Sequence, residues 1–273
     1  MAQEIQVRSE DYFYSVIKAA MNVPGVKVRR SEFLRKQLDK HYSQEVIERA
    51  IKKNPASAGI PKEEIDKLAK SCISNETMRV TSISAAAGIP GGFAMIGTVP
   101  ADVAQYFAHI IRVMQKLVYL YGWKEMYNTD DSFDDETMNQ LTLFLGVMFG
   151  VNAANAAVAK IGKVAAIKVE KDVANRALMK GSIYPIVKKV AEKLGIKMTK
   201  QIFARGIGKV VPVVGAVISG GITYSTYRPL ANRLKNYLRD LPIADVDFYD
   251  SKNEIDPEII DAEYEDYIDE QEK

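Results

Sequence analysis

Few residues in this sequence have side chains of the kind that catalysis or metal binding requires. Cys72 is the only cysteine, which excludes an intramolecular disulfide and a metal site built from cysteines. The two histidines are His41, at a predicted helix junction, and His109, which follows Asp102 by seven residues. His109 and Asp102 could in principle form an acid–base pair, but an exposed position is the simpler prediction for both histidines.

No catalytic or cofactor-binding motif brings such residues together. The sequence lacks G-x-S-x-G, H-E-x-x-H and the Walker sequence. The glycines at 88–92 and 206–208 do not match the fingerprint G-x-G-x-x-G, which also needs a preceding strand and an acidic residue about 20 positions later. The acidic segment 130–136 lacks the glycine and glutamate positions of an EF-hand, so it is predicted to be a solvated turn with helix-capping acids. We predict no reaction, no cofactor and no metal.

Three long segments without any charged side chain dominate the chain, at 80–101, 137–159 and 210–227. They are rich in glycine, alanine, serine, threonine or asparagine rather than in leucine and phenylalanine. The first segment holds four glycines and two prolines, which cost about 1 and 3 kcal/mol each in a helix relative to alanine. Packing in a dense core or in a bilayer must therefore hold this segment. We predict that all three segments are helices that shield one another from water.

The spacing of apolar residues predicts helices in the rest of the chain as well. Residues 9–79 show short apolar stripes at helical spacing, interrupted by loops at Pro24-Gly25 and 54–59. After the first chargeless segment, Pro100 suits the first position of a helix and Asp102 its first turn. That helix is predicted to end at Gly122 and to carry a polar face formed by Gln105, His109, Arg112 and Lys116. The predicted fold is an all-α, multi-helix bundle with Gly/Ala-rich apolar core helices.

Small residues and prolines in the chargeless segments are the predicted packing positions. Gly146 and Gly150 are one helical turn apart, a spacing that lets two helix backbones approach closely. Asp102 is included because a carboxylate in the first turn of a helix meets unpaired backbone N–H groups. The full set of predicted packing positions is Gly88, Pro90, Gly91, Gly92, Pro100, Asp102, Gly146, Gly150, Pro212, Gly215, Gly220 and Gly221.

The net charge of +2 conceals a strong asymmetry along the chain. Residues 1–159 are neutral overall, residues 160–209 carry a net charge of +10, and residues 240–273 carry a net charge of −12. A basic middle and an acidic end either attract each other or recruit different partners. We predict an N-terminal helical region at 1–79, a larger helical domain at 80–240 and a flexible acidic tail at 241–273.

The chargeless segments leave three relations to a membrane open. A spanning helix needs about 20 mostly apolar residues, and segments this rich in small residues reach that length with only marginal hydrophobicity. They are consistent with core helices that never insert, with reversible membrane association, or with permanent spanning. The amino terminus shows no signal-peptide pattern. We therefore expect a cytoplasmic protein that associates with the inner face of the membrane.

The basic section 160–209 favours an anionic partner. Each lysine or arginine near an anionic leaflet gains about 1 kcal/mol, although lysines on solvated helix faces balanced by the acidic tail would give the same pattern. Tyr184 and Phe203 are the only aromatic residues in this section, and no nucleic-acid-binding module is present, which argues against nucleic acid. The predicted contacts to an anionic surface are Lys160, Lys163, Lys168, Lys171, Lys188, Lys189, Lys193, Lys197 and Lys200.

Four segments together resemble one bacterial family. They are the glycine-rich run that ends in Pro-Ala-Asp (88–102), Tyr-Leu-Tyr-Gly-Trp (119–123), the apolar run 141–151, and Val-Pro-Val-Val-Gly-Ala-Val-Ile-Ser-Gly-Gly (211–221) followed by Tyr-Arg-Pro-Leu-Ala-Asn-Arg. In this order and spacing the chain resembles the EcsC family over roughly residues 80–240. The resemblance implies an all-helical protein without an established reaction that is associated with membranes, and a structurally critical Asp102. It does not extend to 1–79 or to the tail.

Three functions follow from these observations. The leading prediction is a non-enzymatic, membrane-associated or membrane-responsive protein whose basic section binds anionic lipid, or a membrane protein, while the acidic tail modulates that binding. The alternative is a soluble helical scaffold or adaptor without membrane contact. A third hypothesis, a small-ligand or catalytic pocket near Asp102 and His109, requires polar groups that converge in the fold. The sequence predicts no particular oligomeric state.

Overall fold

The fold is all-α, as predicted. A computed structural model describes residues 2–87, 95–96, 99–127, 134–167, 184–207 and 215–251 of the chain. Within these ranges the α-helices are α1 (Ala2–Met21), α2 (Arg30–Leu38), α3 (Gln44–Lys52), α4 (Lys62–Ala87), α5 (Ala101–Leu120), α6 (Asp135–Met148), α7 (Asn152–Ile167), α8 (Tyr184–Ile207), α9 (Gly215–Arg239) and α10 (Val246–Ser251).

Helix α5 lies at the centre of the bundle and contacts α1, α2, α4, α6 and α9. Its apolar face, which includes Phe107, Ile110, Met114 and Leu117, is buried. The helix ends at Leu120, and Gly122 follows with φ of 100°. The backbone N–H of Trp123 donates to the carbonyl of Val118 at 3.0 Å, which closes a Schellman-type turn. The predicted end of the helix at Gly122 is therefore confirmed.

The N-terminal helices form where the sequence predicted short amphipathic helices. Ser43 caps α3, since its Oγ accepts from the backbone N–H of Val46 at 3.5 Å. His41 lies exposed in the connection between α2 and α3, as predicted. Helix α4 continues without interruption across residues 79 and 80, so the predicted boundary between two regions falls inside a helix that packs on α5 and α9.

The prediction of one helix through 80–101 is wrong. Helix α4 ends at Ala87, directly before the glycines and Pro90, whose backbone preferences oppose a helix. Two short antiparallel strands follow, β1 (Met95–Ile96) and β2 (Val99–Pro100), with Met95 opposite Pro100 and Ile96 opposite Val99. Pro100 therefore precedes α5 instead of occupying its first position, whereas Asp102 lies in the first turn as predicted. Gly88, Pro90, Gly91 and Gly92 lie outside the described residues.

The second chargeless segment, 137–159, is likewise divided. Helices α6 and α7 meet at an angle of 120° across residues 149–151. Gly150 has φ of 72°, a left-handed conformation that costs a residue with a side chain more than it costs glycine. The backbone N–H of Val151 donates to the carbonyl of Gly146 at 2.8 Å, which ends α6. The role of Gly150 is thus to turn the chain, and its prediction as a helix-packing position is wrong.

Residues 242–251, at the start of the predicted flexible tail, are ordered in the fold. Residues Pro242–Ala244 form a 3-10 turn, with Ile243 and Ala244 buried, and α10 follows. The hydroxyl of Tyr249 on α10 accepts a hydrogen bond from the Asn54 side-chain amide at 2.7 Å. These apolar and polar contacts offset the acidic composition that favoured disorder, so the prediction is wrong for 242–251. Residues 252–273 lie outside the described part of the chain.

Candidate functional site

The basic surface predicted from the sequence lies mainly on helix α8. Lys189, Lys193 and Lys197 follow one another at intervals of four residues and are exposed, so they share one face of the helix. An adjoining face carries Val187, Val190, Ala191 and Leu194, which are buried against the bundle. Because burial of this apolar face holds α8 in place, the three lysines form a continuous cationic row, which we call the lysine row.

The other predicted lysines are distributed around the lysine row. Lys160 and Lys163 are exposed on α7, which packs against α8. Lys188 is also exposed and lies 4.0 Å from a carboxylate oxygen of Glu10 on α1. Lys200 belongs to α8, but its side chain is not described, and Lys168 and Lys171 lie outside the described residues. The predicted lysines thus lie on neighbouring helices, and not all of them are available to bind a partner.

Glycine allows close helix packing at two places, one predicted and one missed. A Cβ on Gly146 would lie 2.5 Å from Cβ of Ala154 and 2.9 Å from Cγ1 of Val190, so the predicted packing role of Gly146 is confirmed. Gly195 on α8 was not predicted, yet a Cβ there would overlap the backbone carbonyl of Ser9 on α1. No other glycine lies three or four residues from Gly195, so the sequence shows no glycine-pair motif there. The helix that packs against Gly195 is distant in the sequence.

The remaining predicted packing positions belong to the third chargeless segment. Gly215 is the first residue of α9, and Gly220 and Gly221 lie within that helix. The helical prediction for this segment is therefore confirmed from residue 215 onward, while the contacts of these glycines are not described. Pro212 lies outside the described residues.

The polar face of α5 is largely covered by α4. Glu76 of α4 is only 1% exposed, and its Oε1 accepts from Lys116 Nζ at 2.5 Å and lies 3.5 Å from Arg112 Nε. The side chains of Arg112 and Lys116 are 21% and 19% exposed. The ring of Phe33 lies 5.9 Å from Lys116 Nζ. We call Glu76, His109, Arg112 and Lys116 the buried polar cluster.

The prediction that His109 is exposed is wrong, because its side chain is buried in this cluster. Its Nε2 lies 3.4 Å from Nε2 of Gln105, and the backbone carbonyl of His109 accepts from the Tyr227 hydroxyl at 3.3 Å. Among the described residues, Nδ1 of His109 and Oε2 of Glu76 have no hydrogen-bond partner. Burial lowers the pKa of His109; Glu76 opposes this shift, and Arg112 and Arg79 add to it.

Because His109 is buried, we expect the protein to lose stability in mild acid. Its folded pKa lies below the ordinary value of 6.5, so the unfolded chain binds the proton more readily. The neutral His109 side chain contributes fully to stability above the ordinary pKa of the unfolded chain. This contribution is lost as the pH falls through the folded pKa. Urea unfolding between about pH 7.5 and pH 5 should show a declining free energy of unfolding.

The variant His109→Gln should reduce this decline, because it removes the titrating group. His41→Gln is the matched control, since it replaces an exposed histidine. An equal pH dependence in wild type and His109→Gln would contradict the assignment.

A second buried ion pair joins α4 to α9. Lys235 of α9 donates to Asp66 Oδ1 of α4 at 2.7 Å, Lys70 lies 2.7 Å from Oδ2, and the Tyr121 hydroxyl lies 3.2 Å from Oδ1. Burial alone would raise the pKa of Asp66, but hydrogen bonds from Lys235 and Lys70 outweigh it and hold the pKa at about 2. Because all of these groups are mutually satisfied, this pair is a structural link between α4, α5 and α9.

The described residues contain no group of three or more His, Cys, Asp or Glu side chains that could hold a metal ion. Of the described helices, none is by itself long and apolar enough to cross a membrane, and the bent α6–α7 pair passes only by combined length and composition. The chain matches no family model, no curated protein and no solved structure. Its resemblance to the EcsC family therefore stays a prediction.

Proposed function

We propose that this chain is a non-enzymatic helical protein that binds an anionic membrane surface, at the inner face of the membrane, through the lysine row. The observation that carries the proposal is the exposure of Lys189, Lys193 and Lys197 along one face of α8. Three cations in a row match a surface of closely spaced phosphates better than they match a single carboxylate. The resemblance to the EcsC family, whose members are associated with membranes, favours the same conclusion.

The burial of the second chargeless segment, 137–159, favours peripheral binding over insertion. Helix α6 is buried along nearly its whole length, including Leu141, Phe144 and Met148. Transfer of these side chains from the protein core to lipid would gain little free energy, because both environments are apolar. The lysine row contacts lipid headgroups in this proposal, and the helical core stays assembled.

Substitution of the lysine row tests the proposal. Each lysine near an anionic leaflet is worth about 1 kcal/mol, so Lys189→Gln/Lys193→Gln/Lys197→Gln should weaken binding about 100-fold. Flotation of the full chain with phosphatidylglycerol-containing vesicles measures this loss over a salt series. Binding by wild type should fall as salt rises, because added ions screen exposed charges.

The matched control removes three lysines from a different surface. Lys36, Lys40 and Lys52 are exposed in and around α2 and α3, and their replacement by glutamine changes the net charge by the same amount. This control variant should float like wild type. Equal flotation of the two triple variants would show that only net charge matters, and absence of flotation by wild type would refute the proposal.

The acidic tail is assigned a modulating role in the same proposal. Residues 252–273 contain ten acidic and two basic side chains, and a segment of this charge competes with lipid for the lysine row. A chain that ends at Ser251 retains α10 and should float more strongly than the full chain at low salt. Identical flotation would remove the tail from the proposal without affecting the lysine row.

A soluble scaffold without membrane contact is the alternative. It is favoured by the extensive burial of α5 and α6 within the bundle, because a core of this kind is stable without lipid. The scaffold proposal predicts a monodisperse protein without detergent and no flotation at any salt concentration, so the same experiment separates the two functions.

A further inference from the structure

Among the described residues, the arginine of the buried polar cluster finds no hydrogen-bond acceptor. Arg112 Nε lies 3.5 Å from Glu76 Oε1, beyond good hydrogen-bonding distance, and Arg112 makes no hydrogen bond with the described residues. A guanidinium has five N–H donors in a planar fork that fits carboxylate and phosphate oxygens in pairs. The side chain is partly exposed, at 21%.

His109 adds a second donor to the same cluster. The side-chain amide nitrogen of Gln105 faces Nε2 of His109, and an amide nitrogen is a donor. With Nε2 as the acceptor of this contact, the neutral imidazole carries its proton on Nδ1. Since Nδ1 is buried and has no partner in the described part of the chain, this N–H lacks the acceptor that a buried donor requires.

Glu76 sets an additional condition on any ligand. Its Oε1 contacts both Lys116 and Arg112, whereas its Oε2 is buried and receives no hydrogen bond from the described residues. A fully deprotonated anion beside Oε2 would be repelled by the carboxylate. Lys116, Arg112 and the nearby exposed Arg79 nevertheless outnumber the single carboxylate of the cluster. The cluster therefore favours an anion that also brings its own hydrogen-bond donor.

We propose that the buried polar cluster binds a singly protonated phosphate group, either hydrogen phosphate or a phosphate monoester. The Arg112 fork and His109 Nδ1–H donate to phosphate oxygens, and the P–OH group donates to Glu76 Oε2. This site is separate from the lysine row and does not depend on membrane binding. Sulfate has the same shape and oxygens but carries no proton at neutral pH, so it fails the condition that Glu76 sets.

Equilibrium dialysis of the full chain with inorganic phosphate, with sulfate as the competing anion at equal ionic strength, tests the site. Phosphate should bind at least about tenfold more tightly than sulfate, because the proton supplies an otherwise missing hydrogen bond. Glycerol 3-phosphate, a soluble monoester with a second pKa of about 6, should bind more tightly at about pH 6 than at pH 8. No preference for phosphate over sulfate by wild type would overturn the proposal.

Three variants assign the contacts. Arg112→Lys keeps the charge but loses the fork and should weaken phosphate binding about tenfold. Arg49→Lys is the matched control, since Arg49 is exposed on α3, and it should bind like wild type. Glu76→Gln removes the repulsion and should let sulfate bind about as well as phosphate. Unchanged phosphate binding by Arg112→Lys would overturn the proposal, and the cluster would then be a structural ion-pair network only. This test holds even if Glu76→Gln does not fold.

Vesicles distinguish a lipid source of the phosphate group from a soluble one. If the group belongs to a lipid, wild type should prefer vesicles with phosphatidic acid, a monoester, over vesicles with phosphatidylglycerol, a diester, and Arg112→Lys should lose that preference. If the source is soluble, both vesicles should bind equally while glycerol 3-phosphate still binds. Absence of both signals would refute the site.

Discussion

Replacement of Gly195 by alanine is expected to lower the free energy of unfolding by about 3 kcal/mol or more, because it overpacks a backbone contact. The new Cβ would occupy the position of the Ser9 carbonyl on α1. Side chains can change rotamer to relieve an overlap, but a helix backbone cannot move without displacing its own packed face. Helices α1 and α8 pack along each other, so separating them exposes apolar surface along both.

Urea unfolding followed by circular dichroism measures this loss. Gly162→Ala is the matched control, because Gly162 lies in helix α7 and a Cβ there meets Leu241 and Trp123 at 3.4 Å, a distance the neighbours can accommodate with small shifts. Alanine also favours a helix by about 1 kcal/mol over glycine, so the control should be neutral or slightly stabilising. Equal stability of both variants would mean that α1 and α8 do not cross at Gly195.

Helical periodicity was sufficient to predict the all-α fold, because it depends only on local spacing. The stripes in 9–79 became α1 to α4, and the apolar residues between Phe107 and Leu120 form the buried face of α5. Capping was also predictable: Asp134 at the end of the acidic segment accepts from the backbone N–H of Thr137 at 2.9 Å. Such features involve residues at most one turn apart, so the sequence alone contains them.

The buried polar cluster could not be predicted in the same way. A helix with apolar residues on one side and Gln105, His109, Arg112 and Lys116 on the other normally places its polar side in water. Here Glu76 lies forty residues away in the chain from Lys116 and neutralises part of that side. Burial of a charge is tolerated only when a partner compensates it, and no local pattern shows where that partner lies.

The first two chargeless segments were wrongly predicted to be continuous helices because apolar composition outweighed the positions of glycine and proline. Helix α4 stops before the glycines that begin at residue 88, and Gly150 separates α6 from α7. Arg233 of α9 donates from Nη1 to the carbonyl of Met148 at 2.7 Å, which satisfies an otherwise unpaired group at the end of α6. Breaks in apolar helices are therefore stabilised by distant polar side chains.

Arg30 is expected to be the side chain whose loss costs most at the N-terminal end of the bundle. It is buried, and its guanidinium donates to the carbonyls of Trp123 at 2.8 Å, Ile51 at 2.6 Å, and Ala50 and Lys53 at 3.1 Å. Burial lowers its pKa to about 10, with Glu125 opposing the shift, so the side chain stays charged at neutral pH. It therefore caps the carboxyl end of α3 and ties it to the turn after α5.

Arg30→Ala should lower the free energy of unfolding by about 3–5 kcal/mol, because it leaves several buried carbonyls without a donor. Arg30→Lys should recover only part of this loss, since one ammonium cannot reach carbonyls on both sides as the planar fork does. Arg35→Ala on the same helix is the control: its pair with Glu48 at 2.6 Å is about half exposed on both sides, and such pairs contribute less than about 1 kcal/mol. The carbonyls that Arg30 binds come from two separate segments, the end of α3 and the turn after α5. Full recovery of stability by Arg30→Lys would therefore mean that a positive charge at the end of α3 stabilises this part of the fold, and not the hydrogen bonds that connect the two segments.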